Sequence, residues 1–232
     1  MNLPSLAAET APAPTPPIER APAVAAVLLA MALVVIDAGM VNVALPSIVR
    51  DLEITPAMSV RIVLAYQIAL VVALLPAAAL AEIIGYRRTF SAGVVLFIAG
   101  SFLCAAAPSL TWLIAMRFVQ GLGGAAIMAL GIALLRQSLR ASRMGAAIGW
   151  NAMTVAIGSA AGPVIGALII SSAAWQWLFV VHLPLGFLAL GFSRALPVIA
   201  GSRGRLDLVS IALNVLAFVS FIMGMQLSLI HI

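Results

Sequence analysis

The sequence predicts an all-α membrane protein with seven crossings, and three observations carry that prediction. Hydrophobic residues make up 64% of the 232-residue chain and charged residues only 8%, against roughly 25% in soluble domains. So few charges cannot solvate a soluble surface of this size, and the bilayer is the natural solvent. Apolar runs long enough to span about 30 Å at 1.5 Å per residue then recur along the chain. Finally, the twelve basic residues are all arginine, and nine of them fall in alternate connecting segments.

The elements follow in order. Residues 1–22, MNLPSLAAETAPAPTPPIERAP, are rich in Pro and Ala and carry no apolar period, which predicts a disordered tail. The tail lacks the basic start and short apolar core of a secretory signal. Spans are predicted at 23–46, 58–81, 89–107, 110–135, 145–171, 175–198 and 206–228. Charges and breakers separate them, including Arg50, Asp51 and Glu53, the Gly85–Arg88 turn, Pro108, the stretch from Arg136 to Arg143, and Gly201 to Arg205.

With the N-terminus cytoplasmic, the inner segments hold Arg20, Arg87, Arg88, Arg136, Arg140, Arg143, Arg194, Arg203 and Arg205. The outer loops hold only Arg50 and Arg61, and Arg117 lies within a span. This is a strong positive-inside signal. It argues against a seven-span receptor, whose N-terminus would face outside. Residues 199–232 are expected to form an inner loop and the seventh helix. An odd span count with an abrupt apolar end predicts a fragment, and the closing LSLIHI resembles a translated sequencing-adapter tail.

Composition also excludes classes of function. The net charge of +5 is spread between apolar runs, so it does not indicate a nucleic-acid partner. The lone cysteine, Cys104, rules out a disulfide framework or a cysteine metal site within the chain. No phosphate-binding loop or metal-ligand cluster is present, and no serine or cysteine stands beside a histidine. The chain therefore reads as a non-enzyme without nucleotide or metal cofactor, with the lipid bilayer as its first partner. The all-arginine basic set points to a GC-rich bacterial genome and hence a bacterial plasma membrane.

Polar residues inside the spans are the candidates for function. Asp37, in VVIDAGMVNVALP (34–46), is the one acid well inside a span, about 13 Å from the outer end of its helix. In LIAMRFVQGLGGAA (113–126), Arg117, Gln120, Gly121 and Gly124 share one helix face. Arg117 lies about 10 Å deep, where an arginine costs about 2.5–3.5 kcal/mol unless it snorkels or meets a partner or a wet cavity. Asp37 and Arg117 are thus at similar depth. If their helices are neighbours they form either a permanent structural pair or a proton-binding site. Asn42 can bond a neighbouring helix or a substrate. His182, in WQWLFVVHLPLGF (175–187), sits about 10 Å deep, in a transport role or a packing role.

Gly158, Gly162 and Gly166 recur every four residues in the fifth span and make a stripe for close helix packing, with Pro163 favouring a bend. Glu82, Gly85, Arg87 and Arg88 form an inner turn with scope for interfacial ion pairs.

In their order these segments resemble the major facilitator superfamily, and in particular its fourteen-span drug:proton antiporters (EmrB/QacA-like). The resemblance covers residues 23–226. It rests on Asp37 with VNVALP (41–46), and on AALAEIIGYRR (78–88) against G-x-L-A-D-R-x-G-R-R. It also rests on Arg117, Gln120, Gly121 and Gly123 against R-x-x-Q-G-x-G. The most specific match is Gly149, Gly158, Gly162, Pro163 and Gly166 against G-x8-G-x3-G-P-x2-G-G. The sixth-span start and Arg205-Leu206-Asp207 match as well. Departures are Gly39 for Thr, Ala78 for Gly, Glu82 for Asp, Ile83 for a basic residue, Tyr86 for Arg, Ala167 for Gly and His182 for Asn.

The resemblance implies a six-helix bundle plus a seventh transmembrane helix. It implies that Asp37 and Arg117 take part in proton coupling, with Asn42, Gln120 and His182 as candidates for the substrate cavity. It implies too that the fifth-span glycines and proline govern bending and sealing in export. The partners implied are protons, a small apolar or cationic substrate and a C-terminal half, with the proton gradient as energy source.

Overall fold

The computed structural model describes residues 21–198, together with the isolated positions Leu216 and Ser220. The predicted tail through residue 20, the loop at 199–205, the rest of the predicted seventh span and the closing LSLIHI lie outside the described residues. The long elements are α1 (Ala21–Asp51), α2 (Pro56–Ile84), α3 (Tyr86–Ala105), α4 (Leu110–Ser138) and α5 (Met144–Ser172). Two shorter helices follow, α6 (Trp177–Val180) and α7 (His182–Ser193).

Helices α1 to α5 are each long and apolar enough to cross a membrane. Helices α6 and α7 run on as one shorter apolar segment, Trp177–Ser193. The break between them has a local cause. Pro184 has no N–H to give to the Val180 carbonyl, while Val181 keeps helical angles, φ −59° and ψ −25°, and its amide still donates to the Trp177 carbonyl at 3.1 Å. The sixth crossing is therefore shorter than the predicted 175–198. At the other end of the chain Pro22, placed in the tail by its composition, belongs to the first turn of α1. Proline is tolerated there because that position has no carbonyl to bond.

Side chains cap the helices where the sequence supplies them. The Thr55 hydroxyl accepts from the Met58 amide ahead of Pro56, and Ser109 accepts from the Trp112 amide at the start of α4. Long-range bonds tie the two ends of the bundle. Trp175 Nε1 donates to Asp51 Oδ2 at 2.6 Å, joining the end of α1 to the turn before α6. The Ser91 and Ser193 hydroxyls lie 3.0 Å apart, joining the start of α3 to the end of α7.

Between α2 and α3 the chain turns on Gly85, whose φ of 100° is in the region that only glycine adopts without strain. Its amide closes α2 on the Ala81 carbonyl, and its own carbonyl accepts from the Thr89 amide and hydroxyl. Gly85→Ala is expected to cost about 1–3 kcal/mol and to lower the thermal-unfolding midpoint of the detergent-purified protein. An unchanged midpoint would show that the turn can relax.

The apolar interior is in two parts. One cluster holds Val24, Val27, Leu33, Phe90, Phe97, Ile127, Leu134 and Ala189. The other holds Met40, Ile48, Ile62, Cys104, Leu113, Leu178 and Phe179. Along α1, α4 and the α6–α7 segment the chain passes from one cluster to the other across a buried polar residue: Asp37, Arg117 with Gln120, and His182. A polar layer thus divides the core. Helices α2 and α5 leave most of their apolar surface uncovered, whereas α1 and α4 are mostly enclosed.

Candidate functional site

Arg117 and Asp37 meet in that layer. Arg117 Nη1 lies 2.9 Å and 2.7 Å from the two carboxylate oxygens of Asp37, with the side chains 1% and 0% exposed. The same Nη1 donates to Gln120 Oε1 at 2.7 Å, one helical turn along α4. Gln120 Nε2 in turn donates to Asp37 Oδ1 at 3.1 Å and to the Ser101 hydroxyl of α3 at 2.8 Å. Cys104 completes that side with a weak contact to Gln120 Oε1 at 3.9 Å. Depth does not let Arg117 snorkel here, because its guanidinium is enclosed. The cost of its charge in hydrocarbon is offset by a carboxylate and an amide.

Tyr66 of α2 closes the layer. Its ring lies 4.2 Å from the Arg117 guanidinium carbon, within cation–π range, and its hydroxyl donates to the Val34 carbonyl of α1 at 3.3 Å. Phe179 stands on another side of the guanidinium at 5.8 Å. Small residues permit this closeness. A methyl on Gly121 would fall 2.5 Å from the Tyr66 carbonyl, and one on Gly123 would fall 2.5 Å from the Phe97 amide of α3. The glycines of the fourth-span motif are therefore what let α2 and α3 press against α4.

His182 faces the same carboxylate. Its Nε2 is 3.9 Å from Asp37 Oδ1, too far for a hydrogen bond, and the residue is 1% exposed. Neither ring nitrogen meets strict hydrogen-bond geometry, although the Phe179 carbonyl one turn back along the helix is near enough to act on the ring. The ring is held edge-on to Phe97, with centroids 5.8 Å apart.

An open cleft of about 530 Å³ lies beside the layer, between α1, α2, α4 and α5. Its wall is mainly apolar, with Val34, Leu70 and Met128, and its polar groups come from Asn42, Tyr66, Gln67 and Ser159. Asn42 is thus on the cleft, as a cavity residue must be, although its amide also donates to the Ala38 carbonyl at 2.9 Å. Gln120 and His182, read from the sequence as cavity candidates, are enclosed behind the ion pair and are not among the cleft-lining residues. Depth along a helix placed His182 near the level of the ion pair but did not say which face it takes. Tyr66 touches both the guanidinium and the cleft. It was not singled out from the sequence, although it is one of only two tyrosines in the chain and sits mid-span in AYQIAL beside Gln67.

The fifth-span stripe packs against α1. A methyl on Gly162 would fall 2.8 Å from the Ile36 carbonyl oxygen and 3.1 Å from Gly39 Cα. One on Gly166 would fall 3.1 Å from Met40 Cα, and one on Gly158 would fall 3.2 Å from Val35 Cγ1. Pro163 is part of the contact, since a methyl on Gly39 would come within 2.8 Å of its Cδ. As the helices stand, a side chain at position 39 would have to displace Pro163. Gly149 stands apart from the seam, with nothing within 4 Å of its added methyl. In the turn between α2 and α3, Gly85 is buried, Arg87 half-buried, and Glu82 and Arg88 exposed.

The family model described as Major Facilitator Superfamily matches residues 27–231. The chain belongs to the major facilitator superfamily. It is 40% identical over 219 residues to the uncharacterized transporter YebQ of Escherichia coli (strain K12), a match covering 93% of this chain and 47% of that protein. It is 32% identical over 155 residues to the riboflavin transporter RibZ of Clostridioides difficile (strain 630), covering 67% and 34%. It is 37% identical over 164 residues to the multidrug resistance protein Stp of Mycobacterium tuberculosis (strain CDC 1551 / Oshkosh), covering 70% and 30%. The fold matches that of the major facilitator proton:xylose symporter XylE with a TM-score of 0.66 at 14% identity, over 78% of this chain and 45% of that one. The chain spans less than half the length of these relatives. It is thus a multi-pass membrane protein of a transporter family, not an enzyme, and its described part forms a helical bundle of that superfamily.

Proposed function

We propose that this chain is the N-terminal half of a proton-coupled exporter of small, mostly apolar or cationic molecules, of the fourteen-span drug:proton antiporter type. The observation that carries the reading is the enclosed Asp37–Arg117 pair standing one tyrosine away from an open apolar cleft. A proton-binding group is useful to a transporter when the site it controls is next to it. Tyr66 gives that link a physical form, because it touches both. The intact Gly149, Gly158, Gly162, Pro163 and Gly166 pattern and the similarity to Stp favour export.

In this reading the membrane is the bacterial plasma membrane, and the arginine distribution puts the N-terminus in the cytoplasm. A second bundle supplies the other wall of the cleft, and rocking between the two alternates access. A proton arriving from outside neutralises Asp37 and weakens its hold on Arg117. The population shifts toward the outward-facing form, and substrate is released outward. No bound cofactor is needed, since the proton gradient drives the cycle. A second reading is a narrow-substrate metabolite transporter on the same fold, favoured by the similarity to RibZ.

The test is ethidium accumulation in an efflux-deficient bacterium carrying the full-length gene, with and without a protonophore. Accumulation is expected to fall, and the protonophore is expected to restore it. Unchanged accumulation would reject the multidrug reading and transfer the weight to the narrow-substrate transporter.

A further inference from the structure

We propose that His182 is a proton-exchange partner of Asp37, a second resting place for the coupling proton rather than a wall of the substrate cleft. The inference rests on the proton-coupling reading above and deepens it. Two independent observations point to it. The first is position: Nε2 faces Asp37 Oδ1 at 3.9 Å inside the same enclosed layer. The second is that no side chain hydrogen-bonds either ring nitrogen although the residue is buried, its polar neighbours being Asp37 and the Phe179 backbone carbonyl. Buried polar groups are nearly always paired, and an exception calls for an explanation. Here the ring is restrained by the edge contact with Phe97 and by the Phe179 backbone carbonyl, and its Nε2 is turned toward Asp37.

The groups around it decide what it can do. Asp37 on α1 is the acid it faces, and Arg117 on α4 carries the fixed positive charge. Tyr66 on α2 lies over Arg117, and Cys104 on α3 reaches Gln120. With the layer unprotonated, Arg117 and Asp37 cancel and the imidazole is neutral. One added proton gives the layer a net charge of +1, whichever group holds it. A movement of about 1 Å brings Nε2 within bonding distance of Oδ1. The proton can then pass from the Asp37 carboxyl to Nε2. The O–H bond breaks, the N–H bond forms, Asp37 returns to carboxylate and the ring becomes imidazolium. Histidine therefore adds a protonated state in which Asp37 keeps its charge. The asparagine found at this place in the pattern the chain resembles cannot supply that state.

The experiment uses the full-length transporter, purified with nitrogen-15-labelled histidine and also reconstituted in vesicles with an imposed pH gradient. One imidazole signal, missing in both His182→Asn and His182→Gln, is expected to respond to pH and to move when Asp37→Asn is introduced. Ethidium efflux by His182→Asn is expected to need about tenfold more protons, a shift of its pH profile of about one unit toward acid. His182→Gln keeps the test open if the asparagine variant does not fold. A His182 signal that ignores pH or ignores Asp37, with an unshifted efflux profile, overturns the proposal and leaves proton coupling intact. Wild-type efflux that ignores the gradient overturns the coupling reading, and this proposal with it.

Discussion

Asp37→Asn is expected to abolish proton-driven efflux while the protein still inserts into the membrane. The two halves of that expectation have separate causes. Asparagine keeps the shape of the carboxylate and one acceptor oxygen, so Arg117 Nη1 retains a partner at the 2.7–2.9 Å now seen. Gln120 Oε1 also remains within 2.7 Å of Nη1. Insertion of α1 and α4 should therefore survive, although removing one partner of a buried pair costs about 3–5 kcal/mol when nothing replaces it.

The transport cycle does not survive, because asparagine cannot take up or release a proton. Moving a two-state equilibrium from 1:99 to 99:1 takes about 5.5 kcal/mol. Neutralising one partner leaves the other buried charge uncompensated, at a cost of about 3–5 kcal/mol, and that is most of what is needed. Without it, the gradient has nothing to act on. Ethidium efflux in cells with equal membrane levels of both proteins is the measurement. Normal proton-driven efflux by Asp37→Asn would falsify the assignment of Asp37 to coupling. A drop in membrane level alone would instead show the pair to be structural.

How far this site could be read from the sequence depends on what kind of signal each residue leaves. Charges inside apolar runs are conspicuous because lipid penalises them, so Asp37 and Arg117 stood out, and their similar depth followed from counting residues. The helix boundaries were legible for a related reason, since a bilayer leaves the backbone few alternatives to helix. The partners that complete the layer left weaker signals. Ser101 and Tyr66 are unremarkable in their own segments, and their role depends on α3 and α2 lying against α4. Which face a residue takes was also hidden. Asn42 and His182 lie in spans of similar pattern, yet one borders the cleft and the other is enclosed behind Asp37.

The glycine stripe shows the same division. Its four-residue spacing announced a close seam, but nothing in α5 named α1 as the partner or Gly39 as the residue opposite Gly162. A seam is a property of two surfaces, and the sequence displayed only one of them as periodic. Once the two are together, Gly39 and Gly162 are seen to face each other across one contact.

That contact makes Gly162→Ala the second large-effect substitution. In a helix exposed to no neighbour, alanine is preferred to glycine by up to about 1 kcal/mol. At Gly162 the added carbon would meet backbone on the facing helix, 2.8 Å from the Ile36 oxygen and 3.1 Å from Gly39 Cα. Backbone has no rotamer with which to yield, so α1 and α5 must part. Overpacking of this kind costs about 1–3 kcal/mol. The functional loss should exceed what that stability cost suggests, because Ile36 adjoins Asp37. Parting the seam shifts the acid against a guanidinium held by α4 at 2.7–2.9 Å.

Efflux by Gly162→Ala is accordingly expected to fall by roughly tenfold or more, the equivalent of about 1.4 kcal/mol, with a lowered thermal-unfolding midpoint. Gly145→Ala and Gly191→Ala, where an added methyl meets nothing within 4 Å, are expected to leave that midpoint unchanged or raised. Gly39→Ala should resemble Gly162→Ala, since its methyl would meet Pro163 Cδ at 2.8 Å across the same contact. Combined, the two should cost less than their sum, because helices already parted by one methyl have room for the other. Full additivity would mean that the two glycines do not share one seam, and normal efflux by Gly162→Ala would mean that α1 does not have to stay close to α5 for Asp37 to work.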